Sequence, residues 1–340
     1  MRSVGDLSVK LSDVESAARR LNSVVHHTPL KRSRTLDDLF SGHIHLKLEN
    51  LQRTGSYKIR GAYNKIALLP DDARRRGVIA ASAGNHAQGL AYAARQFGTS
   101  CTIVMPETAP RTKIQATASY GAQVVLHGKN YDDAYMHALR LAGAEGLTYV
   151  HAFDDPDVIA GQGTVAFEFY HDLPEVTTVI VPIGGGGLIS GVATYLKAKN
   201  PSIRVIGVQA KGAASTALSL QKGERTVLDE IYTLADGIAV KCPGELTFNI
   251  IRALVDTVWT VSEERIVEAI GLLLEREKML VEGAGAVALA GLLDHPEVAH
   301  GEEVALIVSG GNIDLSRLST LFAEPLEKTV EEPLKLGESS

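Results

Sequence analysis

A lysine stands where a predicted strand gives way to a predicted helix, in the segment Asn50-Leu-Gln-Arg-Thr-Gly-Ser-Tyr-Lys58-Ile-Arg-Gly61. Alternating residues from His43 to Glu49 predict the strand, and the helix-favouring run Ala62 to Leu69 ends at Pro70. The helix dipole disfavours a cation at the first turn and lowers the pKa of an amine there. A lysine of lowered pKa suits Schiff-base chemistry, although most lysines are simply solvated surface residues.

Four consecutive glycines, Gly184 to Gly187, form a second candidate site. They follow the continuous apolar segment Thr177 to Ile183, which predicts a buried strand, and they precede the predicted helix Leu188 to Lys199. Such glycines let backbone amides point inward at an anion, and the helix N-terminus adds positive potential. A tight turn without a ligand needs only one or two glycines, so the sequence favours a phosphate site.

The glycine run does not match the loops that bind nucleotides. A dinucleotide fingerprint needs Gly-x-Gly-x-x-Gly and an acid at the end of the next strand. Here Ile189 or Ser190 replaces the third glycine, depending on the register, and the next strand ends in Gln209. No Gly-Lys-Ser/Thr follows, which excludes a Walker loop. The phosphate of a small, non-nucleotide cofactor fits this pattern better.

Polar turns after two other predicted strands offer further binding groups. In Ser82-Ala83-Gly84-Asn85-His86 the amides and polar side chains suit a carboxylate or a phenolic oxygen, although an ordinary capped helix start is an equally good reading. In Ser309-Gly-Gly-Asn312 a serine at a strand's carboxyl end is placed to bond a ring nitrogen, and an ordinary turn serine is the alternative. Glu282 opens Glu282-Gly-Ala-Gly-Ala286, which predicts close helix packing with an acid near the site.

The elements that must position these residues alternate along the chain. From Gly77 to Ala152, predicted strands and helices follow one another at intervals of about 20 residues, which is typical of a parallel sheet with helical crossovers. This set is long enough to form a small domain of its own. A second alternating set follows and ends with the strand Val304 to Val308. The pattern also predicts a capping box at Ser12 and Glu15 and an amphipathic helix from Glu263 to Leu280.

Composition narrows the class of protein. The chain has 340 residues, 45% hydrophobic and 22% charged, which suits one large or two medium domains. A net charge of -6 without a basic stripe argues against nucleic acid, and no apolar run is long enough to span a bilayer. Residues 1–12 lack the apolar core of a signal peptide, and Cys101 and Cys242 make no disulfide framework. We therefore expect a cytoplasmic protein, and the lack of Cys/His clusters at ligand spacing predicts no metal.

Taken together and in order, these segments resemble the threonine/serine dehydratases, pyridoxal-phosphate enzymes of fold type II that are similar to the tryptophan synthase β-subunit and include serine racemase. The resemblance covers about residues 10–322 and is closest to the catabolic, single-module threonine ammonia-lyases. Several motifs in one order are far more specific than any one of them. The motifs are Gly55-Ser-Tyr-Lys58-Ile-Arg-Gly-Ala62, Ser82-Ala-Gly-Asn-His-Ala-Gln-Gly89, Gly184-Gly-Gly-Gly-Leu188, Leu234-Ala-Asp-Gly237, Glu282-Gly-Ala-Gly-Ala286 and Ser309-Gly-Gly-Asn312.

The resemblance implies an α/β fold with two open, twisted, mostly parallel sheets flanked by helices. The implied large domain comprises residues 1–70 and 150–323 and binds the cofactor, and the small α/β domain comprises residues 71–149. The active site lies between the two domains. Residues 324–340 are expected to form a flexible tail.

The resemblance also implies roles for single residues. Lys58 holds pyridoxal 5'-phosphate as a Schiff base, the backbone from Gly184 through Gly185, Gly186 and Gly187 to Leu188 binds its phosphate, and Asn85 bonds the ring hydroxyl. Ser309 faces the ring nitrogen, and a neutral partner there makes the ring a weaker electron sink that favours prompt loss of a β-leaving group. Ser82, Ala83, Gly84, Asn85 and His86 bind the substrate carboxylate.

The implied reaction is α,β-elimination of water from a β-hydroxy amino acid, L-threonine or L-serine. Lys58 removes the α-proton as general base, the β-hydroxyl leaves, and the enamine hydrolyses to a 2-oxo acid and ammonia. Nothing in the sequence identifies the side-chain pocket, so aryl-serine, hydroxyaspartate or hydroxyectoine-derived substrates remain alternatives. More distant alternatives are a β-replacement synthase and a catalytically silent phosphate-ligand sensor.

Two departures from relatives that racemise serine bear on function. Those relatives carry a second serine just before Gly-Asn-His, and here that position is Ala83, which disfavours racemisation. They also place acidic metal ligands after the strand that ends near Gln209, and the corresponding stretch from Gln209 to Ser215 has none. The resemblance implies a small amino-acid substrate and further copies of the chain, as a homodimer or homotetramer, as partners, and the composition argues against nucleic acid and membrane.

Overall fold

The computed structural model describes residues 7–314 and 318–319. The predicted tail, residues 324–340, and the predicted end of the large domain at residue 323 lie outside the described residues.

The strands form two open sheets. The larger sheet has six strands in the order β1-β2-β10-β7-β8-β9, and the smaller has four in the order β5-β4-β3-β6. Only the pairing of β1 with β2 is antiparallel, and every other described pair is parallel. The strands are β1 (Leu30–Arg32), β2 (His43–Leu48), β3 (Val78–Ala81), β4 (Cys101–Met105), β5 (Gln123–Leu126), β6 (Thr148–Tyr149), β7 (Thr178–Pro182), β8 (Arg204–Ala210), β9 (Thr257–Val261) and β10 (Glu303–Val308).

Helices cover both sheets. The longest described helix, α8, has 17 residues, and no helix in the described part of the chain is long and apolar enough to cross a membrane. The helices are α1 (Leu11–Leu21), α2 (Arg34–Phe40), α3 (Lys58–Leu68), α4 (Asp71–Arg76), α5 (Asn85–Gln96), α6 (Arg111–Ser119), α7 (Tyr131–Glu145), α8 (Pro156–Asp172), α9 (Gly187–Lys199), α10 (Ser215–Lys222), α11 (Glu245–Leu254), α12 (Glu263–Glu275) and α13 (Gly283–Asp294).

The central strands are apolar because helices cover both of their faces. Every residue of β3 and of β7 is buried. Helices α8 and α9 pack closely behind β7 at Gly163 and Gly191, where a Cβ on Gly191 would lie 2.4 Å from the carbonyl oxygen of Ile159. Helix α3 contributes Ala62 to the core of the smaller sheet, so the chain passes from one sheet to the other through the helix that begins with Lys58.

This architecture confirms the predicted fold class, and the predicted alternation of strands and helices is confirmed in both sheets. The capping box was wrong: α1 begins at Leu11, and the backbone N–H of Lys10 donates to Asp13 Oδ2 at 2.8 Å. Helix α12 ends at Glu275 rather than Leu280. The pattern missed the short elements β1, α2, α4 and α10, whose apolar periods are too brief to distinguish from loops. It also missed the ten-residue helix α11.

Candidate active site

A cavity of about 1110 Å³ lies between the two sheets. Its walls include Lys58 at the start of α3, Ser82 after β3, Gly184 after β7 and Asn312 after β10. These residues follow the carboxyl ends of parallel strands, where open α/β sheets place their ligand sites. The topology thus brings three glycine-rich turns and the lysine turn, far apart in the sequence, to one cavity.

Lys58 is the first residue of α3 and lines the cavity. Its Nζ donates to the carbonyl oxygen of Ala152 at 3.0 Å. Withdrawal from bulk water lowers the pKa of Lys58 from 10.5 to about 8, and the charge of Glu282 opposes part of that shift. The pKa of Lys58 is therefore lowered, as the sequence predicts, but the physical cause is burial, whereas the sequence argument relied on the helix dipole.

A lowered pKa makes the Lys58 amine reactive at a lower pH than an ordinary lysine. Only the neutral amine attacks an aldehyde, and its fraction rises with pH through the pKa, which is about 8 here. We expect the rate at which the cofactor-free protein captures pyridoxal phosphate to rise with a midpoint near pH 8. Stopped-flow absorbance measures this rate, and Nα-acetyl-lysine under the same conditions corrects for titration of the aldehyde itself. A midpoint near 10.5 would contradict the burial argument.

The four-glycine loop and Leu188 line the same cavity as the lysine turn. Gly186 has φ +96°, a conformation that favours glycine, and Gly187 begins α9. The first N–H groups of a helix have no intrahelical acceptor, so those of Gly187 and Leu188 are available to an anion. Phe153 lies so close to the loop that a Cβ on Gly185 would meet its ring at 2.3 Å.

The residues of the cavity fit an aldehyde cofactor that carries a phosphate. A buried amine of lowered pKa and a glycine loop at a helix N-terminus stand on the same cavity. A Cβ on Gly185 would clash with the Phe153 ring and one on Gly186 with Ile251 and Thr247, and a Cβ on Gly187 would lie in tight contact with Phe153 at 3.0 Å. The loop therefore presents backbone rather than side chains to the cavity, as close approach to a phosphate requires.

Replacing one glycine of the loop tests this fit. In Gly185→Ala the new methyl group would meet the Phe153 ring at 2.3 Å, so the loop or the ring must shift. We expect pyridoxal phosphate to bind at least about tenfold more weakly, because a displaced amide loses a charge-assisted hydrogen bond. Equilibrium dialysis measures the affinity. The matched control is Gly143→Ala on α7, where a Cβ would meet nothing within 4 Å; equal affinities of the two variants would contradict the prediction.

Asn85 lies at the start of α5 and is held from two sides. Its Nδ2 donates to Glu282 Oε1 at 2.6 Å, and its Oδ1 accepts from Asn312 Nδ2 at 2.8 Å. Asn312 also donates to the carbonyl oxygen of Thr54 at 2.8 Å. The amide that the resemblance assigns to the ring hydroxyl is thus oriented by residues from two other turns.

The remaining residues of the predicted carboxylate site, Ser82, Ala83, Gly84 and His86, all line the cavity. His86 is 3% exposed, and its Nε2 lies 3.0 Å from the carbonyl oxygen of Val150. Burial and then the charge of Lys58 lower the pKa of His86 to about 3, so the ring is neutral. A Cβ on Gly84 would meet nothing within 4 Å. The cavity is therefore open at this turn.

Ser309 is the one predicted site residue that the structure does not place on the cavity wall. It is 4% exposed, and its hydroxyl donates to the carbonyl oxygen of Ala284 at 3.1 Å. Its own carbonyl oxygen accepts from the N–H of Tyr57, next to Lys58. The contact of Ser309 with a ring nitrogen stays a prediction. To donate a hydrogen bond to that nitrogen, the hydroxyl would have to give up its bond to the carbonyl oxygen of Ala284.

Sequence reasoning missed several residues of the cavity. The sequence indicates Glu282 only as an acid near the site and assigns no role to Asn312. In the structure both side chains bond Asn85. Phe153 supports the glycine loop, and Asp154 accepts from the N–H groups of residues 245–247 and so caps α11 from a distant part of the chain. No local pattern signals these contacts, because each partner lies tens of residues or more away.

Metal ligands are not grouped anywhere in the described residues: no three His, Cys, Asp or Glu side chains there are placed to share an ion. At the end of β8, Gln209 Nε2 donates to the carbonyl oxygen of Ala213 at 3.2 Å, and its Oε1 accepts from the N–H of Ala217 at 2.9 Å. In the stretch where racemising relatives place acidic ligands, the side-chain amide of Gln209 thus bonds the backbone of the following turn.

Comparison with known proteins agrees with this geometry. The family model described as "Pyridoxal-phosphate dependent enzyme" matches residues 21–310. The L-threonine ammonia-lyase of Thermotoga maritima is 51% identical over 94% of this chain and 80% of its own length. The processed form of threonine deaminase isoform 2 from Solanum lycopersicum is 41% identical with a TM-score of 0.89, covering 92% of this chain and 91% of that one. Maize serine racemase is 36% identical with a TM-score of 0.89, covering 94% and 98% of the two chains.

Proposed function

The chain belongs to the pyridoxal-phosphate dependent enzyme family, and on that premise we propose that it eliminates water from L-threonine or L-serine. The products are a 2-oxo acid and ammonia. The observation that carries this proposal is the meeting, on one cavity, of a lysine of lowered pKa and a four-glycine loop.

The cofactor is pyridoxal phosphate; when bound, it supplies the aldehyde that takes the substrate's amino group and the ring that withdraws electrons from its Cα. Lys58 first holds the cofactor through Nζ and then, as a free amine, takes the α-proton. The N–H groups from Gly184 to Leu188 bind the phosphate. A side-chain N–H of Asn85 orients the ring by bonding the ring oxygen, and the turn from Ser82 to His86 binds the substrate carboxylate.

Borohydride reduction tests the assignment of Lys58. Reduction turns a reversible carbon–nitrogen bond between the lysine and the cofactor into a stable one, so peptide mapping should find the added mass on Lys58. Lys65 lies on the same helix and pairs with Asp155 and Asp157 at 2.7 and 3.0 Å, so it serves as an internal control that should carry no label. A label elsewhere, or none, would refute the enzyme proposal.

A panel of β-hydroxy amino acids tests the substrate class. We expect threonine and serine to release the 2-oxo acid faster than aryl-serine, hydroxyaspartate or hydroxyectoine-derived substrates. Support comes from the relatives named for threonine at 41% and 51% identity. If a bulkier or carboxylated analogue turned over faster, the elimination would stand and the substrate assignment would fall.

Racemisation of serine is the second candidate, because a serine racemase shares this fold at 36% identity. The second residue of the carboxylate turn argues against it, since Ala83 has no group that could deliver a proton to Cα. Chiral chromatography of L-serine incubated with the enzyme measures D-serine directly. D-serine forming faster than 2-oxo acid would favour the racemase.

Domain limits, assembly and location are further proposals. We propose a cofactor-binding domain of residues 1–70 and 150–323, a small domain of residues 71–149, a homodimer or homotetramer, and a cytoplasmic location. The separate smaller sheet supports the domain limits, and the free Cys101 and Cys242 suit a reducing compartment. Light scattering of the purified enzyme measures the assembly, and a monomer would contradict it.

A further inference from the structure

A buried acid borders the cavity and has no role in the reaction described so far. Glu282 is the residue before α13 and is 4% exposed. Its Oε1 accepts from Asn85 Nδ2 at 2.6 Å, and its backbone N–H donates to the carbonyl oxygen of Gly310 at 3.2 Å. A Cβ on Gly310 would lie 2.3 Å from Oε1, so the glycine at this position makes room for the carboxyl group beside Asn85.

Asn312 occupies the other side of the same amide. Its Nδ2 donates to both Asn85 Oδ1 and the carbonyl oxygen of Thr54, each at 2.8 Å. Because one neighbour of Asn85 accepts and the other donates, only one orientation of its amide satisfies both. A side-chain amide has two N–H groups, and the one not used by Glu282 is left for a ligand in the cavity.

Several charged groups act on Glu282. Burial and then the charge of Asp236 raise the pKa of its carboxyl to about 8, against the opposing effects of the Asn85 bond, Lys113 and Lys58. Lys113 and Asp236, which both line the cavity, pair with each other. A carboxyl keeps an acceptor oxygen whether or not it is protonated, so the bond from Asn85 persists in both states.

We propose that Glu282 is a positioning residue for the cofactor, which acts by holding the side-chain amide of Asn85 with one N–H directed at the ring oxygen. This rests on the proposed function, which places that oxygen at Asn85. Glu282 and Asn312 together serve as a two-sided clamp that decides which end of the amide the cofactor meets. A reversed amide would present its oxygen to the oxygen of the ring, and the two would repel.

The test compares Glu282→Met with Glu282→Gln. The two replacements are close in size, but only glutamine keeps an oxygen that accepts from Asn85. We expect Glu282→Met to bind pyridoxal phosphate about tenfold more weakly and to shift the absorption band of the bound cofactor. Glu282→Gln should stay within about twofold of the parent. Equilibrium dialysis gives the affinity, and circular dichroism of the cofactor-free variants reports whether each is folded.

The same pair of replacements in an Asn85→Ala background identifies the route of the effect. If Glu282 acts through Asn85, then Glu282→Met should cost no further affinity once that amide is gone. An undiminished loss in that background would overturn the proposal, and so would equal affinities of the methionine and glutamine variants in the parent background. If Glu282→Met does not fold, Asn312→Ala replaces it: the other side of the clamp should give a similar loss, again absent with Asn85→Ala, and an unchanged affinity would overturn the proposal.

The readout separates this proposal from the proposed function. Cofactor affinity and the absorption band are measured without substrate, so the test of Glu282 does not depend on which amino acid the enzyme accepts. An enzyme that binds the cofactor as expected but releases no 2-oxo acid would refute the function alone.

Discussion

The Lys58→Ala variant is expected to form 2-oxo acid from threonine at least about a thousandfold more slowly than the parent enzyme. In the proposed function two contributions disappear together, the nitrogen that carries the cofactor and the base that takes the α-proton. The neighbouring His86 is a poor substitute, because a pKa lowered to about 3 makes its ring a weak base and its Nε2 already bonds the carbonyl oxygen of Val150. Coupled assay of 2-oxo acid release measures the rate.

Two further lysine variants sharpen this result. Lys58→Arg keeps a positive charge at the site, but a guanidinium is not deprotonated in proteins, so it should be as inactive as the alanine variant. Lys65→Ala removes an amine from the same helix outside the cavity and should keep the rate within a few fold. Appreciable turnover by Lys58→Arg or Lys58→Ala would contradict the role of the amine.

The Arg60→Ala variant is expected to lose about 3–5 kcal/mol of unfolding free energy, because it leaves buried charges unpaired. Arg60 lies two residues after the reactive lysine and is completely buried. Its guanidinium bonds Glu49 with two contacts of 2.8 Å and Glu168 with contacts of 2.7 and 2.8 Å. Lys47, also fully buried, bonds Glu168 at 2.7 Å. Two cations and two anions thus balance inside the protein and fasten α3 to β2 and α8.

The pKa of Glu49 shows why the arginine is needed. Burial alone would raise it, but the charge and hydrogen bonds of Arg60 hold the pKa below its usual value. Such a group contributes stability above its unfolded-state pKa and loses it as the pH falls through the lower, folded-state value. The difference in unfolding free energy between Arg60→Ala and the parent should therefore narrow below about pH 4.5, where the carboxyls of the unfolded chain take up protons.

Urea unfolding at neutral pH measures the loss in Arg60→Ala, with cofactor absent from both proteins so that binding does not contribute. The matched control is Arg32→Ala on β1, an arginine that also pairs with a carboxylate, Asp37, at 2.7 Å, but whose side chain is 50% exposed. Solvent screens that pair, so the control should change the midpoint far less. Equal midpoint shifts for the two variants would contradict the account of the buried cluster.

The sequence alone was sufficient for the fold class and for finding two parts of the cavity wall that we propose to hold the cofactor. Lys58 and the run from Gly184 to Gly187 were found because each sits in a short, continuous segment whose chemistry is local. A continuous apolar strand such as β7, followed by glycines and a helix, predicts its own geometry. The order of the motifs along the chain then pointed to one family.

Tertiary structure decided what no local segment contains. The pKa of Lys58 is low because the folded protein withdraws it from water, the amide of Asn85 is oriented by Glu282 and Asn312 about two hundred residues further along the chain, and the Ser309 hydroxyl is engaged by Ala284. Burial and side-chain hydrogen bonds between distant turns exist only once the carboxyl ends of the strands meet. Local segments of the sequence therefore determine which chemical groups the site contains, whereas the protonation and orientation of those groups follow from contacts that only folding creates.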